Sequence, residues 1–162
     1  MSVAVTLKLM LKIVETNTSA LVSSSNASQT WSGGDIDLTL NSTSTPDAED
    51  CAAMIIALVA GAKTIDLTSL AHEGGATKSA NGKKIRAWLF FNLAANTGNI
   101  VVTKGASNGY SPVGTTFTYV VPPGGCALHY FDSDAGDVGA SAKNVDVTGT
   151  GTESFYFKAI WG

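Results

Sequence analysis

Two histidines, His72 and His129, are the chain's whole supply of side chains that shuttle protons near neutral pH. His129 lies in the apolar run Ala127-Leu128-His129-Tyr130-Phe131, the setting of a hydrogen-bonded core or interface imidazole. His72 stands in a loop beside Glu73 and ahead of Gly74-Gly75, but no second histidine is spaced to join it as a ligand or base. The densest group of oxygen ligands is the turn Asp132-Ser133-Asp134-Ala135-Gly136-Asp137. Asp132, Asp134 and Asp137 repel one another there, and a Ca²⁺ ion would relieve the repulsion while taking oxygen ligands. The order departs from an EF-hand loop, since Gly136 precedes the third aspartate and no glutamate occupies the bidentate position. A calcium site and a solvated acidic turn are the two readings of this segment.

Nucleophile signatures are missing. There is no G-x-S-x-G elbow, P-loop or dinucleotide fingerprint, and Gly149-Thr150-Gly151 leads into a strand rather than a helix. Asp66, Glu73 and Glu153 carry no local feature that would raise a carboxylate pKa for glycoside hydrolysis, although the partners of such a pair can lie far apart in sequence. Cys51 and Cys126 fall in unrelated segments, with no metal spacing, and read as free thiols buried as small hydrophobes. Trp31 and Tyr110 sit in polar, Gly/Ser-rich surroundings and are the aromatics expected at the surface, where a sugar could stack on them. Trp88, Phe90, Phe91, Phe155 and Phe157 lie in strand-like runs and are expected in the core.

Composition narrows the partners. Of 162 residues, 10 are Lys or Arg and 13 Asp or Glu, so 14 % are charged and the formal net charge is -3. Soluble domains usually carry about 25 % charged residues. With no cationic excess to displace counterions, nucleic acid is not an expected partner. No apolar run reaches the roughly 18 residues of a membrane span. Lys8 and Lys12 interrupt the N-terminal apolar stretch, so no signal peptide is expected. The N-x-[ST] triplets at Asn17, Asn26 and Asn41 are then a by-product of Ser/Thr richness. Charge is absent from Thr16 to Gly34 and from Gly105 to Ala127, which marks these stretches as surface destined for contact.

The elements that must position these residues follow from periodicity. Val3, Val5, Leu7, Leu9, Leu11 and Ile13 occupy every second position, with Thr6, Lys8 and Lys12 between them, predicting a long strand with one buried face. Glu15 to Gly34 is polar and too long for an ordinary connection, reading as an arm held against something. Residues 1–34 therefore form an N-terminal strand and polar arm, and residues 35–162 a β-sandwich domain. Asp35 to Leu40 alternates again. From Thr45 the signals are helical: a capping Thr45, Pro46 in the first turn, Asp47, Glu49 and Asp50 at the positive end of the dipole, an apolar Cys51–Ala60 and a Gly61 stop. They predict one short buried helix over about 47–60. Ile65–Leu67, Ile85–Asn92, Ile100–Thr103, Thr116–Val121, Cys126–Phe131, Val145–Thr148 and Phe155–Trp161 read as strands separated by Gly, Asn and Pro turns. About nine short strands so spaced make an all-β fold, a β-sandwich or jelly-roll-like domain.

The second half has a distinctive order. Lys84-Ile85-Arg86-Ala87-Trp88-Leu89-Phe90-Phe91-Asn92 is followed by Thr97-Gly98-Asn99-Ile100-Val101-Val102 and Gly105-Ala106-Ser107-Asn108-Gly109-Tyr110. A Pro122-Pro123-Gly124-Gly125 turn then opens an apolar strand, and Gly149-Thr150-Gly151-Thr152-Glu153 precedes the last one. Over residues 64–162 this resembles the small β-rich virion proteins of tailed bacteriophages, of the capsid decoration or cement type. The resemblance implies a protein without catalytic residues or a cofactor, located in the virion on the capsid surface, whose partner is the major capsid protein and which is a homo-oligomer, a trimer or dimer. The partner-binding positions expected here are Val3, Val5, Leu7, Leu9 and Leu11 of the first strand, Trp31 in the arm, and the loops at Tyr110 and Pro122. A strand and arm of this kind can pair with a neighbour's sheet edge through main-chain hydrogen bonds. A tail- or fibre-associated glycan-binding module, using Trp31 and Tyr110, is the alternative.

Overall fold

Alternation of side chains across two sheets organises the chain. The computed structural model describes residues 4–9, 13–18, 26–31, 36–41, 43–72, 75–113, 116–131 and 135–162, the first four of these stretches by their backbone. The strands are β1 (Ala4–Leu9), β2 (Ile13–Thr18), β3 (Asn26–Trp31), β4 (Ile36–Asn41), β5 (Asp50–Ala57), β6 (Ala62–Asp66) and β7 (Leu70–Ala71). They continue with β8 (Thr77–Lys78), β9 (Ile85–Asn92), β10 (Ile100–Lys104), β11 (Thr118–Val121), β12 (Cys126–Tyr130), β13 (Asn144–Thr148) and β14 (Ser154–Trp161). Sheet I runs β12-β9-β14-β5 and sheet II runs β11-β10-β13-β6, all pairs antiparallel. Their inner faces close on each other as a β-sandwich.

The core is aromatic on sheet I and β-branched on sheet II. Trp88, Phe90, Phe155 and Phe157 are buried against Ile65, Ile100, Val102, Val145 and Val147. Trp88 is the hub, with ring centroids 5.2 Å from Phe131, 5.5 Å from Phe90 and 5.6 Å from Phe117. The contacts with Phe131 and Phe90 are edge-to-face, a favoured aromatic geometry. One polar group is wholly buried at the end of the sandwich. The Asn92 amide donates to the carbonyls of Gly98 (3.0 Å) and Val121 (2.9 Å) and accepts from Asn96 (2.6 Å), so every main part of it is satisfied.

The helix expected over 47–60 is not formed; the segment is strand β5, and no helix occurs among the described residues. Ala52, Met54, Ile56 and Leu58 are buried in the core, while Cys51, Ala53, Ile55 and Ala57 point to the other side of sheet I. Both faces of β5 are apolar, so the alternation that identifies a strand is invisible in the sequence, and a short apolar run reads equally as helix. The apparent caps have other work. Asp47 binds Arg86, the Glu49 amide donates to the Trp161 carbonyl, and Gly61 (φ +79°) with Ala60 (φ +51°) forms a tight turn between Val59 and Ala62. That turn joins β5 to β6 although the two belong to different sheets, leaving a cleft of about 520 Å³ between them.

The N-terminal segment folds on itself. β1 pairs with β4 from Ala4↔Asn41 to Leu9↔Ile36, and β2 with β3 from Ile13↔Trp31 to Thr18↔Asn26. Ile36–Asn41, assigned above to the sandwich, thus belongs to a two-stranded ribbon with β1, and the polar arm finds its partner within the chain.

Candidate interaction surfaces

The residues that could do chemistry are tied into the scaffold. His72 Nδ1 accepts the Ala53 amide at 3.2 Å, covering part of the free edge of β5. His129 faces the sandwich interior from β12, its ring stacked on Tyr119 at 4.1 Å and 19°. Burial depresses the pKa of His129 and raises that of Tyr119, keeping both rings neutral near pH 7.

Each carboxylate whose side chain is described has a partner. Asp47 binds Arg86 at 2.6 Å, Asp50 binds Lys78 at 2.8 Å, Asp66 binds Lys143 at 2.6 Å, Glu49 binds Lys83 at 2.5 Å, and Asp137 binds Lys84 at 3.3 Å. Asp146 accepts from Thr64 at 2.6 Å and from the Ala106 amide at 2.8 Å. Glu153 accepts from the amides of Thr97 (2.6 Å) and Gly98 (3.0 Å) and from the Thr97 hydroxyl (2.9 Å). The Arg86 hydrogen bond lowers the Asp47 pKa, and the Thr97 amide lowers that of Glu153. At Asp50 and Asp66 burial pulls upward, but hydrogen bonds from Lys78 and Lys143 outweigh it and both are lowered. These are ionised structural groups, shifted away from the range of a general acid.

Of the acidic turn, Asp132 and Asp134 lie outside the described residues, while Asp137 is exposed and pairs with Lys84. Among the described residues no group of three or more His, Cys, Asp or Glu is placed to hold a metal ion, and no helix is long and apolar enough to cross a membrane.

The expected partner-binding positions separate. Tyr110 is buried, with 1 % of its surface exposed, which corrects its placement as a surface contact. Its hydroxyl donates to the Gly136 carbonyl (2.9 Å) and accepts the Ile85 amide (3.3 Å), and burial pushes its pKa up to about 12. A polar, Gly-rich neighbourhood suggested exposure; in fact the loop folds over the core because Gly105 and Gly109 let its turns approach one another and Asn144. Pro122 is exposed in the turn that carries the chain from sheet II to sheet I. Val3 and Leu11 lie outside the described residues. Val5, Leu7 and Leu9 stand in β1 directly opposite Leu40, Leu38 and Ile36, whereas the alternate positions pair Thr6 with Thr39 and Lys8 with Asp37. The register therefore places six aliphatic residues on one face of the ribbon and polar residues on the other. In β2–β3, Ile13 stands opposite Trp31, and the next pair on that face is Glu15 with Gln29.

A surface that periodicity alone did not reveal is the outer face of sheet I. Its middle row across the strands is Leu128, Leu89, Lys158 and Ala53; the rows on either side are Cys126, Phe91, Tyr156, Ile55 and Tyr130, Ala87, Ile160, Cys51. Lys158 is the single charge in these three rows. Phe91, expected in the core, lies here beside Tyr156, with ring centroids 6.2 Å apart. Ile55 is 54 % exposed. Both cysteines are free, as expected, but neither is buried in the core: Cys51 is half-buried on this face and Cys126 is exposed. The outer face of sheet II is mixed, one row across it being Thr118, Thr103, Asp146 and Thr64 and the next Val120, Val101, Thr148 and Ala62. The unbroken apolar runs 51–57 and 87–91 are the signal of this face, since a strand apolar at every position has two faces to cover. Comparison with family models, with curated proteins and with solved structures returns no match.

Proposed function

We propose that this chain is a virion structural protein of a tailed bacteriophage, which binds the outside of the capsid and cements adjacent major capsid protein subunits. The observation that carries the reading is a pair of apolar surfaces on one chain, the ribbon face with Val5, Leu7 and Leu9 and the outer face of sheet I with Leu89, Phe91 and Tyr156. A contiguous apolar face of this kind marks an interaction site. The low charge of the chain fits the same role, because broad contacts form over Thr, Ser and Asn with little desolvation of ions. Many modest contacts on a repeating shell then add through a shared geometry. The glycan-binding alternative keeps Trp31 but loses Tyr110, which is buried. The test is binding of the purified protein to capsids stripped of it: saturable occupancy at symmetry-related sites, with raised resistance of the shell to heat, is expected. Binding to tails or to glycans with none to capsids would contradict the reading.

A further inference from the structure

We propose that the cleft between β5 and β6 binds an extended peptide segment of a partner protein, about four residues long, apolar at alternate positions and bearing a carboxylate. The cleft is a β-hairpin that opens just beyond its turn. Val59 and Ala62 exchange both main-chain hydrogen bonds, at 2.9 and 3.1 Å, across the Ala60-Gly61 turn. In an unbroken ladder the next hydrogen-bonded pairs would be Ala57 with Thr64 and Ile55 with Asp66. Neither forms, because β5 continues in sheet I and β6 in sheet II. Both strands nevertheless turn these groups toward the gap. The Leu58 amide donates to the Glu153 carbonyl and the Leu67 amide to that of Lys143, so even-numbered residues of β5 bond β14 and odd-numbered residues of β6 bond β13. The amides and carbonyls of Ile55, Ala57 and Thr64 are left with no partner among the described residues, an open template for strand addition.

The dimensions fit one strand. Sheets of a sandwich stand about 10 Å apart and paired strands about 4.8 Å, so a single extended segment between β5 and β6 lies at pairing distance from both. The turn closes one end of the cleft; at the other, the chain crosses back at 69–71 and His72 Nδ1 takes the Ala53 amide. Between these ends β5 lines the cleft with residues 54–57, room for about four extended residues at about 3.4 Å each.

Main-chain pairing supplies affinity in this mode of recognition, and pockets for alternate side chains supply specificity. On its inner side the segment meets Met54, Ile56, Ile65 and Leu70, all buried, which calls for apolar residues at every second position. Lys63 also lines the cleft, is exposed, and has no carboxylate partner among the described residues, whereas Asp66 is neutralised by Lys143. The open charge of the cleft is therefore positive, and a carboxylate on the segment answers it.

This inference goes beyond the capsid reading, since it leaves the ribbon face and the outer face of sheet I uncovered, and it is tested on the full chain without capsids. Amide shifts and hydrogen exchange are followed by NMR during titration with the peptide acetyl-Thr-Val-Glu-Val-Thr-amide. In the protein alone the amides of Ile55, Ala57 and Thr64 should exchange freely; at saturating peptide they should slow at least about tenfold, with shift changes confined to β5, β6 and the crossing at 69–71. The same peptide methylated on its three central main-chain nitrogens should not bind. Lys63→Glu should weaken binding about tenfold, and a peptide with lysine in place of glutamate should recover it on that variant. The proposal is overturned if millimolar peptide shifts no amide of β5 or β6, if the changes fall on the outer face of sheet I instead, or if the methylated peptide binds equally well. It is also overturned if the chain self-associates with these amides already protected, since a second copy would then fill the cleft.

Discussion

Replacing Tyr110 by Phe removes one oxygen and separates a structural role from a binding one. The hydroxyl accepts the amide of Ile85, a residue with no exposed surface, and donates to the carbonyl of Gly136, an exposed residue that water can reach. Leaving a buried amide unpaired costs about 1–3 kcal/mol, and re-solvating the carbonyl adds little, so the loss should be about 2 kcal/mol. At about 3–5 °C per kcal/mol for a domain of this size, Tm falls by about 6–10 °C. The difference depends on pH in a defined direction. Folding raises the Tyr110 pKa from 10.0 to about 12, so its contribution is complete below pH about 10 and is lost as the pH rises through about 12. Two units correspond to about 2–3 kcal/mol, enough to cancel the wild-type advantage by pH about 12. Urea unfolding of both proteins at neutral pH, pH 10 and pH 12, followed by tryptophan fluorescence, measures this directly. Equal stability at neutral pH, or a gap that widens as the pH rises, would refute the burial of this hydroxyl.

Other perturbations reach different parts of the fold. Asp47→Asn should destabilise by about 1–3 kcal/mol, because Arg86 stays buried while its partner loses its charge. Since the Asp47 pKa is lowered on folding, the wild-type contribution is present above the ordinary carboxylate pKa and lost as pH falls below it, so acid titration of the variant should show a shallower loss. Asn92→Ala should cost about 2–4 kcal/mol, since the carbonyls of Gly98 and Val121 both lose their donor, and hydrogen exchange of the adjoining loops should accelerate. Gly109→Ala should destabilise more than Asn92→Ala, because the new Cβ runs into the Gly105 carbonyl and must push the Tyr110 loop off the core; chemical denaturation ranks the two.

Strands rich in aromatic or β-branched residues and bounded by Gly, Asn or Pro turns were legible from the sequence. Ile85–Asn92 was read with its observed bounds, and Ile100–Thr103, Cys126–Phe131 and Phe155–Trp161 within a residue or two of β10, β12 and β14. Segment 47–60 was not, because Cys51, Ala53, Ile55 and Ala57 are as apolar as the core residues between them, and period two disappears when both faces of a strand are apolar. The same cause hid the outer face of sheet I. Phe91 looks like core in one dimension and becomes surface only once β9 pairs with β14 and Tyr156 stands beside it. Tyr110 failed the other way, since a Gly- and Ser-rich context describes the loop's backbone but not what its one large side chain lies against. The ribbon face was half legible. The alternation from Val3 to Ile13 gave one strand of it, while the pairing of Leu40, Leu38 and Ile36 to Val5, Leu7 and Leu9 needed the register.

The most direct test of the proposed role is quantitative mass spectrometry of purified phage particles, counting copies of this chain against the major capsid protein. Cementing adjacent subunits requires a high and fixed ratio set by the symmetry of the shell. A few copies per particle, or none, would contradict it.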